Sequence, residues 1–378
     1  MKREIKKMTA VVLTAVMSVT ASTSVVFGNE RLENAKRQPL TLRRAIDRAT
    51  SNSSAIATLN EDTPLSEDEL ERAENAGLPD TEFSSIVNWQ SNIMLQRAKL
   101  AANLSNATAQ RDTLGFIVTQ HFANIVNTEK ALEIFDEQIR LSEKNLEILA
   151  LQSSVGVIPE LDYLLAQISL DELFLNRETM ANAVVTAHME LNRLIGVDEN
   201  LIHEIEFAPE FEPLPALTNV TGHINAQRNN HINVRNARNL VEIASYNLDN
   251  FTLATNPNTG EVLPGNGGQP TRAQREIDVA NANRELSAQR NNVTRHLQDT
   301  YDNIRALEHN IQTSHIELTD LYQSLEIARV QLEVGMILPI TIDNINLQIS
   351  RQKEQIRQQE IDHHLLVLQF RNPNILVF

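Results

Sequence analysis

Asn303-Ile304-Arg305-Ala306-Leu307-Glu308-His309-Asn310-Ile311-Gln312-Thr313-Ser314-His315-Ile316-Glu317-Leu318 is the stretch on which the fold turns. Ile304, Ile311 and Leu318 recur every seven residues, Leu325 and Leu332 continue the series, and Leu321 and Ala328 fill the intervening position. Apolar residues at that spacing form one stripe along an α-helix, the seam of a coiled coil. The seam stops at Val334-Gly335, where glycine takes the left-handed conformation that ends a helix, and Pro339 starts the next. Ile342, Ile345, Ile349 and Ile356 then return at three- and four-residue steps, so a second helix packs back on the first.

The same unit occurs earlier in the chain. Phe122 to Ile158 aligns without a gap on Tyr301 to Ile337 at a constant offset of 179 residues. Asn124-Ile125 falls on Asn303-Ile304, Glu129 on Glu308, Leu146-Glu147-Ile148 on Leu325-Glu326-Ile327, and Val155-Gly156 on Val334-Gly335. Upstream, Asn52 matches Asn230 and Gln96 matches Gln274. The first seam is Ile125, Leu132, Phe135, Ile139, Leu146 and Leu149, and Leu161, Leu164, Ile168 and Leu175 are expected to pack the returning helix against it.

The fold class that follows is all-α, with two tandem repeats of a long antiparallel coiled-coil hairpin. A signal peptide covers residues 1–28: a basic start, an apolar run from Met8 to Val19 broken by Thr14, Ser18 and Thr20, then small residues to Gly28. Repeat 1 spans 29–197 with its tip near 155–159. A proline-marked linker spans 198–215, repeat 2 spans 216–373 with its tip near 334–339, and 374–378 is a tail.

Asp80 is placed to cap a helix from about Thr81 to Ser154, on the order of 100 Å long at 1.5 Å per residue. Thr271-Arg272-Ala273-Gln274 fits a capping box for the second long helix. Between the paired regions, Leu59 to Pro79 is expected to hold a short helix capped by Ser66 with Glu69 and ended near Gly77. Ala254 to Pro270, rich in turn formers, is expected to hold at most one small hairpin.

Composition narrows the function. The formal charge is −16 overall and +3 in the leader, which leaves −19 for the remainder and argues against a nucleic-acid partner. There is no cysteine, hence no disulfide, thiol catalysis or cysteine-held metal. The ten histidines are scattered; His363 and His364 point about 100° apart on a helix, and Glu360 with His364 has helical spacing but no third ligand. Gly265-Asn266-Gly267-Gly268 lacks the strand and the Gly-Lys-Ser/Thr of a phosphate loop. With no nucleophile, base and oxyanion arrangement, the reading is that the chain is not an enzyme and has no catalytic residue, cofactor or metal.

Several segments resemble the TolC-type outer-membrane efflux proteins. Leu40-Thr41-Leu42 with Ala45-Ile46 and Asn52 is similar to that family's opening. Val155-Gly156-Val157-Ile158-Pro159-Glu160-Leu161-Asp162-Tyr163-Leu164-Leu165-Ala166-Gln167 is similar to its hairpin-tip pattern, and Leu191-Asn192-Arg193-Leu194-Ile195-Gly196 to its hairpin end. The resemblance runs from about Leu40 to Asn372, and the duplication is itself a family trait.

It implies a homotrimer whose hairpins form a twelve-helix tunnel for drugs, toxins or peptides. It also implies a periplasmic adaptor (membrane fusion) protein and an inner-membrane transporter docking at the tips Val155, Gly156, Val157, Ile158, Val334, Gly335, Met336 and Ile337. Asp162 either caps its helix or faces the lumen, and Asp343 is the second residue expected to face it. The family's gate aspartates would fall on Thr341 and Asn344, with Asp343 alongside.

The family also inserts two β-strands per repeat, here expected at Leu59 to Pro79 and Ala254 to Pro270. Neither segment reads as strands: Glu61-Asp62, Glu67-Asp68-Glu69 and Glu71-Arg72 face lipid only at high cost, and there are no aromatic girdles. The expectation is therefore a TolC-like conduit without an evident β-barrel, exported to the cell envelope. By resemblance that means the outer membrane and periplasm, or the extracytoplasmic face of a cell with one membrane. Two other readings stand beside it: a structural or adhesive coiled-coil rod of the envelope, and a soluble adaptor-like protein that conducts nothing.

Overall fold

The computed structural model describes residue 32 and residues 36–78, 83–215, 219–253, 255, 259–262 and 269–375. The expected leader, the Asp80 cap and the end of the tail lie outside them. Eight named helices account for most of the described chain: α1 (Leu42–Asn52), α2 (Ser54–Asn75), α3 (Phe83–Ser154), α4 (Glu160–Ile195), α5 (Val220–Asn230), α6 (Ile232–Asp249), α7 (Arg272–Glu333) and α8 (Pro339–Arg371). A single parallel rung pair joins β1 (Gln38–Pro39) to β2 (His203–Glu204), and no closed barrel is present among the described residues.

The two long helices run the length of the molecule. The 72 residues of α3 correspond to about 108 Å. On the tip side of the waist, α4 pairs with α3, α3 with α8, and α8 with α7, a single layer in the order α4–α3–α8–α7. On the other side the layer is α2–α3–α6–α7. The waist carries the two cores. One gathers Ala45 and Ala49 of α1 with Phe122, Ile125 and Leu191, and the other Ile224, Val234, Leu297, Ile304 and Phe370. The seam residues Ile304, Ile311, Leu325 and Ala328 are buried, as are Ile125 and Ile139.

The local signals for helix ends hold where the side chain is free to turn back. Thr41 and Thr271 each accept a backbone N–H, from Arg44 and Gln274, at the starts of α1 and α7. The capping box is only half made, because Gln274 Nε2 donates to Asp278 and does not reach back.

Ser66 is a correction: it caps nothing. The helix starts at Ser53, which accepts from Ile56 N–H, and runs through Pro64 to Asn75, ending before Gly77. Packing holds that continuity despite the proline. Asn103 donates to Ser66 Oγ at 2.7 Å and Trp89 Nε1 to the Ala73 carbonyl at 3.1 Å, both from α3. Most of the segment expected to hold a strand insertion is therefore helix, packed antiparallel on α3. In the second interval, one antiparallel bridge, Thr255 to Val262, stands where a small hairpin was expected.

The second correction concerns α4. Leu161, Leu164, Ile168 and Leu175 do not face α3; they are exposed, Leu175 to 64%. Tyr163, Ala166, Leu170 and Leu173 make the contact instead, three and four residues apart. In α8 the corresponding set behaves as expected, with Ile349 and Ile356 buried and Ile342 and Ile345 half-buried.

Candidate functional site: tips, edges and waist

The two tips are built alike. At the first, Gly156 has φ +75°, Gly156 N–H donates to the Ser153 carbonyl at 3.0 Å and Val157 N–H to the Gln152 carbonyl at 2.8 Å. At the second, Gly335 has φ +74°, Gly335 N–H donates to Leu332 at 2.9 Å and Met336 N–H to Gln331 at 2.8 Å. This pair of bonds satisfies the last carbonyls of α3 and α7 and turns the chain by a left-handed glycine.

Val155, Val157, Val334, Met336 and Leu338 stand out into solvent, Met336 to 73%. Ile158 and Ile337 are half-buried. Asp162 is exposed in the first turn of α4, and Asp343 is ion-paired to Lys144 of α3 at 2.8 Å.

Beyond the tips, both edges of the four-helix layer are apolar. On α4, Leu161, Leu165, Ile168 and Leu175 share the outer stripe; on α7, Ile316, Ile327, Val330 and Val334 do, Ile327 being 61% exposed. The spacings, four, three and seven residues on α4 and eleven, three and four on α7, keep each set on one helical stripe like a coiled-coil seam, and neither stripe has a partner among the described residues.

The waist holds a constellation that periodicity does not reveal. Glu308, buried on α7, accepts from Leu214 N–H at 2.6 Å and from Arg305 at 2.7 Å, and lies 3.2 Å from His363 Nε2. Burial alone raises this carboxyl, but the hydrogen bonds from Arg305, Leu214 and His363 more than offset it, so Glu308 sits below the ordinary carboxylate range. Its counterpart Glu129 meets Arg37 at 2.9 Å and stands 3.6 Å from His188 Nε2. The duplication matches the two glutamates, which was the available signal; their histidine partners lie 55 and 59 residues downstream and follow no common offset. Among the described residues, no group of three or more His, Cys, Asp or Glu could hold a metal, and no helix is long and apolar enough to cross a membrane.

No family model matches the sequence, and no curated protein matches it either. Solved structures do. The chain superposes on CusC, described in connection with transmembrane channel formation, with a TM-score of 0.66 over 88% of this chain and 91% of that one, at 11% identity. It superposes on the outer membrane protein VceC of Vibrio cholerae at 0.62, covering 88% and 96%, with 13% identity. The open state of the MtrE outer membrane channel of Neisseria gonorrhoeae matches at 0.56, covering 88% of each, with 13% identity. This chain has the TolC-type fold. Those neighbours are described as outer membrane proteins and channels, none as an enzyme. The TolC-type layer here lacks a closed barrel among the described residues, and α2 and α6 occupy the places beside α3 and α7 on the side away from the tips.

Proposed function

We propose that the protein is a conduit subunit of the cell envelope, three copies closing edge to edge into a helical tunnel. The observation that carries this reading is the pair of open apolar edges on α4 and α7, at opposite margins of one layer. An edge of one kind meeting an edge of the other is a heterologous contact, and such contacts either close into a ring or run on as a filament. Closure by three is what the TolC-type resemblance implies. The exposed tips then crowd one mouth, where Val157 and Met336 offer apolar contacts to an adaptor that links the tunnel to an inner-membrane transporter. The passenger would be a small molecule or peptide.

The natural absence of cysteine makes the test clean. Leu175→Cys with Ile327→Cys places one thiol on each edge, and a flexible bismaleimide should give a crosslinked species of three times the monomer mass and nothing larger. The single variants should stop at dimers at most. A ladder extending beyond three would replace the tunnel by a rod, and monomer alone would remove assembly altogether.

A further inference from the structure

The linker between the hairpins crosses the waist as a strap, and a glutamate and a histidine fasten it at each end. The two fastenings differ in which group accepts. Where the strap ends, the carboxylate does: Glu308 Oε1 takes Leu214 N–H, and Arg305 also donates to the Pro215 carbonyl at 3.3 Å. Where the strap begins, the imidazole does: His188 Nδ1 accepts from His203 N–H at 3.4 Å, and Glu129 stands on the opposite side of that ring. His203 Nε2 in turn lies 2.7 Å from Asn192 Oδ1, and Asn192 Nδ2 donates to the carbonyls of Leu201 at 2.7 Å and Glu199 at 3.3 Å. His188, His203 and Asn192 are all buried.

An imidazole nitrogen accepts a hydrogen bond only while it carries no proton. Once protonated, His188 Nδ1 becomes a donor pointed at the donor N–H of His203, and the contact turns repulsive. The charged and titratable groups around it are Glu129 on α3, Arg37 beside β1 and paired to Glu129, Arg48 on α1, and His203 on the strap. Burial, then the neighbouring His188 and Arg48, hold His203 below the ordinary histidine range. At the other end the groups are Glu308, Arg305 and His363, and a proton on His363 adds charge beside a carboxylate whose bond to Leu214 N–H is untouched.

We propose that the strap is an asymmetric, acid-sensitive fastening: acidification releases its start, residues 201–205 on hairpin 1, and leaves residues 214–215 clamped to hairpin 2. The two β1–β2 bonds, Gln38 N–H to the Ile202 carbonyl and Leu40 N–H to the Glu204 carbonyl, flank His203 and let go with it. Hairpin 1 then moves at the waist while hairpin 2 stays held. Nothing in this step depends on the conduit reading.

Hydrogen exchange of the full chain, at about pH 7.5 and about pH 5 on either side of the ordinary histidine range, tests it after correction for intrinsic exchange. Protection of the amides of Gln38, Leu40 and His203, which donate the bonds that let go, should fall by about tenfold or more between the two pH values, while the amide of Leu214 keeps its own. In His188→Gln, whose carbonyl accepts without titrating, the pH dependence at those three amides should vanish. Equal changes at both ends of the strap, unchanged protection at Gln38, Leu40 and His203, or a pH effect that survives in His188→Gln would overturn the proposal. If that variant does not fold, the comparison of the two ends in the unaltered chain decides alone.

Discussion

Lys144 of α3 and Asp343 of α8 stand 2.8 Å apart across the boundary between the two hairpins, on the tip side of the waist. Both side chains are well exposed, so the pair contributes about 0 to 1 kcal/mol and is weakened by salt. A weak tie suits a place where the hairpins separate. Lys144→Glu should leave the melting temperature nearly unchanged yet broaden the distance distribution between spin labels at Val155→Cys and Val334→Cys. The double change Lys144→Glu with Asp343→Lys should narrow it again. An unchanged distribution in the single variant would mean that the pair ties nothing.

The glycines at the helix ends make a graded series. Gly156 and Gly335 have positive φ, but an added Cβ meets open space there, so alanine should cost about 1 kcal/mol from backbone strain alone. Gly196, at φ +67°, is different: a Cβ would fall 2.5 Å from Asn52 Oδ1. Asn52 Nδ2 donates to the carbonyls of Arg193 and Leu194 at the end of α4, so displacing it also uncaps that helix. Urea unfolding should therefore rank Gly196→Ala above Gly156→Ala by at least about 1 kcal/mol, the worth of a lost hydrogen bond. Equal costs would show that the Asn52 contact is idle.

At the tips, exposure separates docking from packing. Val157→Ser with Met336→Ser removes apolar surface that contributes nothing to the core. Helicity and melting should hold while tip-directed photocrosslinks in intact envelopes disappear. Ile158→Ser with Ile337→Ser is the contrasting pair: both residues are half-buried, and melting should drop. Crosslinks that persist in the first pair would leave the tips as plain turns.

Much of this architecture was legible because a coiled-coil seam and a glycine turn are local events. Ile304, Ile311, Leu325 and Gly335 announce a helix, its buried stripe and its end within a few residues of one another. The orientation of α4 was not legible, and the reason is physical. A helix inside a layer has two neighbours and needs two apolar stripes, and α4 carries both, one through Tyr163, Ala166 and Leu170 and one through Leu161, Leu165 and Ile168. Periodicity finds both stripes but does not say which neighbour belongs to the same chain. Ser66 misled for a related reason, since a serine three residues before Glu69 reads as a start signal until α3 supplies Asn103 to engage it. The waist escaped because His188, His203 and Glu129 meet only through tertiary packing.

Acid stability offers the remaining test, and His231 is its sharpest point. His231 caps α6, its Nδ1 accepting from Asn233 N–H at 3.1 Å. Burial, then the nearby His296, lower its pKa to about 4. Unfolded, the same side chain titrates near an ordinary value of about 6.5. The unfolded chain thus takes the proton first as pH falls, so the contribution is whole above about pH 6.5 and drains away toward pH 4, by up to about 3 kcal/mol. His121, His203, His296 and His364 are also lowered by burial and add to the same trend. His231→Asn isolates one share, because asparagine is as good a cap and does not titrate. Urea unfolding should find the variant and the unaltered protein close at about pH 7 and the variant more stable at about pH 4.5, with the gap opening across the histidine range. Parallel stability curves over that interval would show that His231 is protonated in the folded protein as easily as in the unfolded chain.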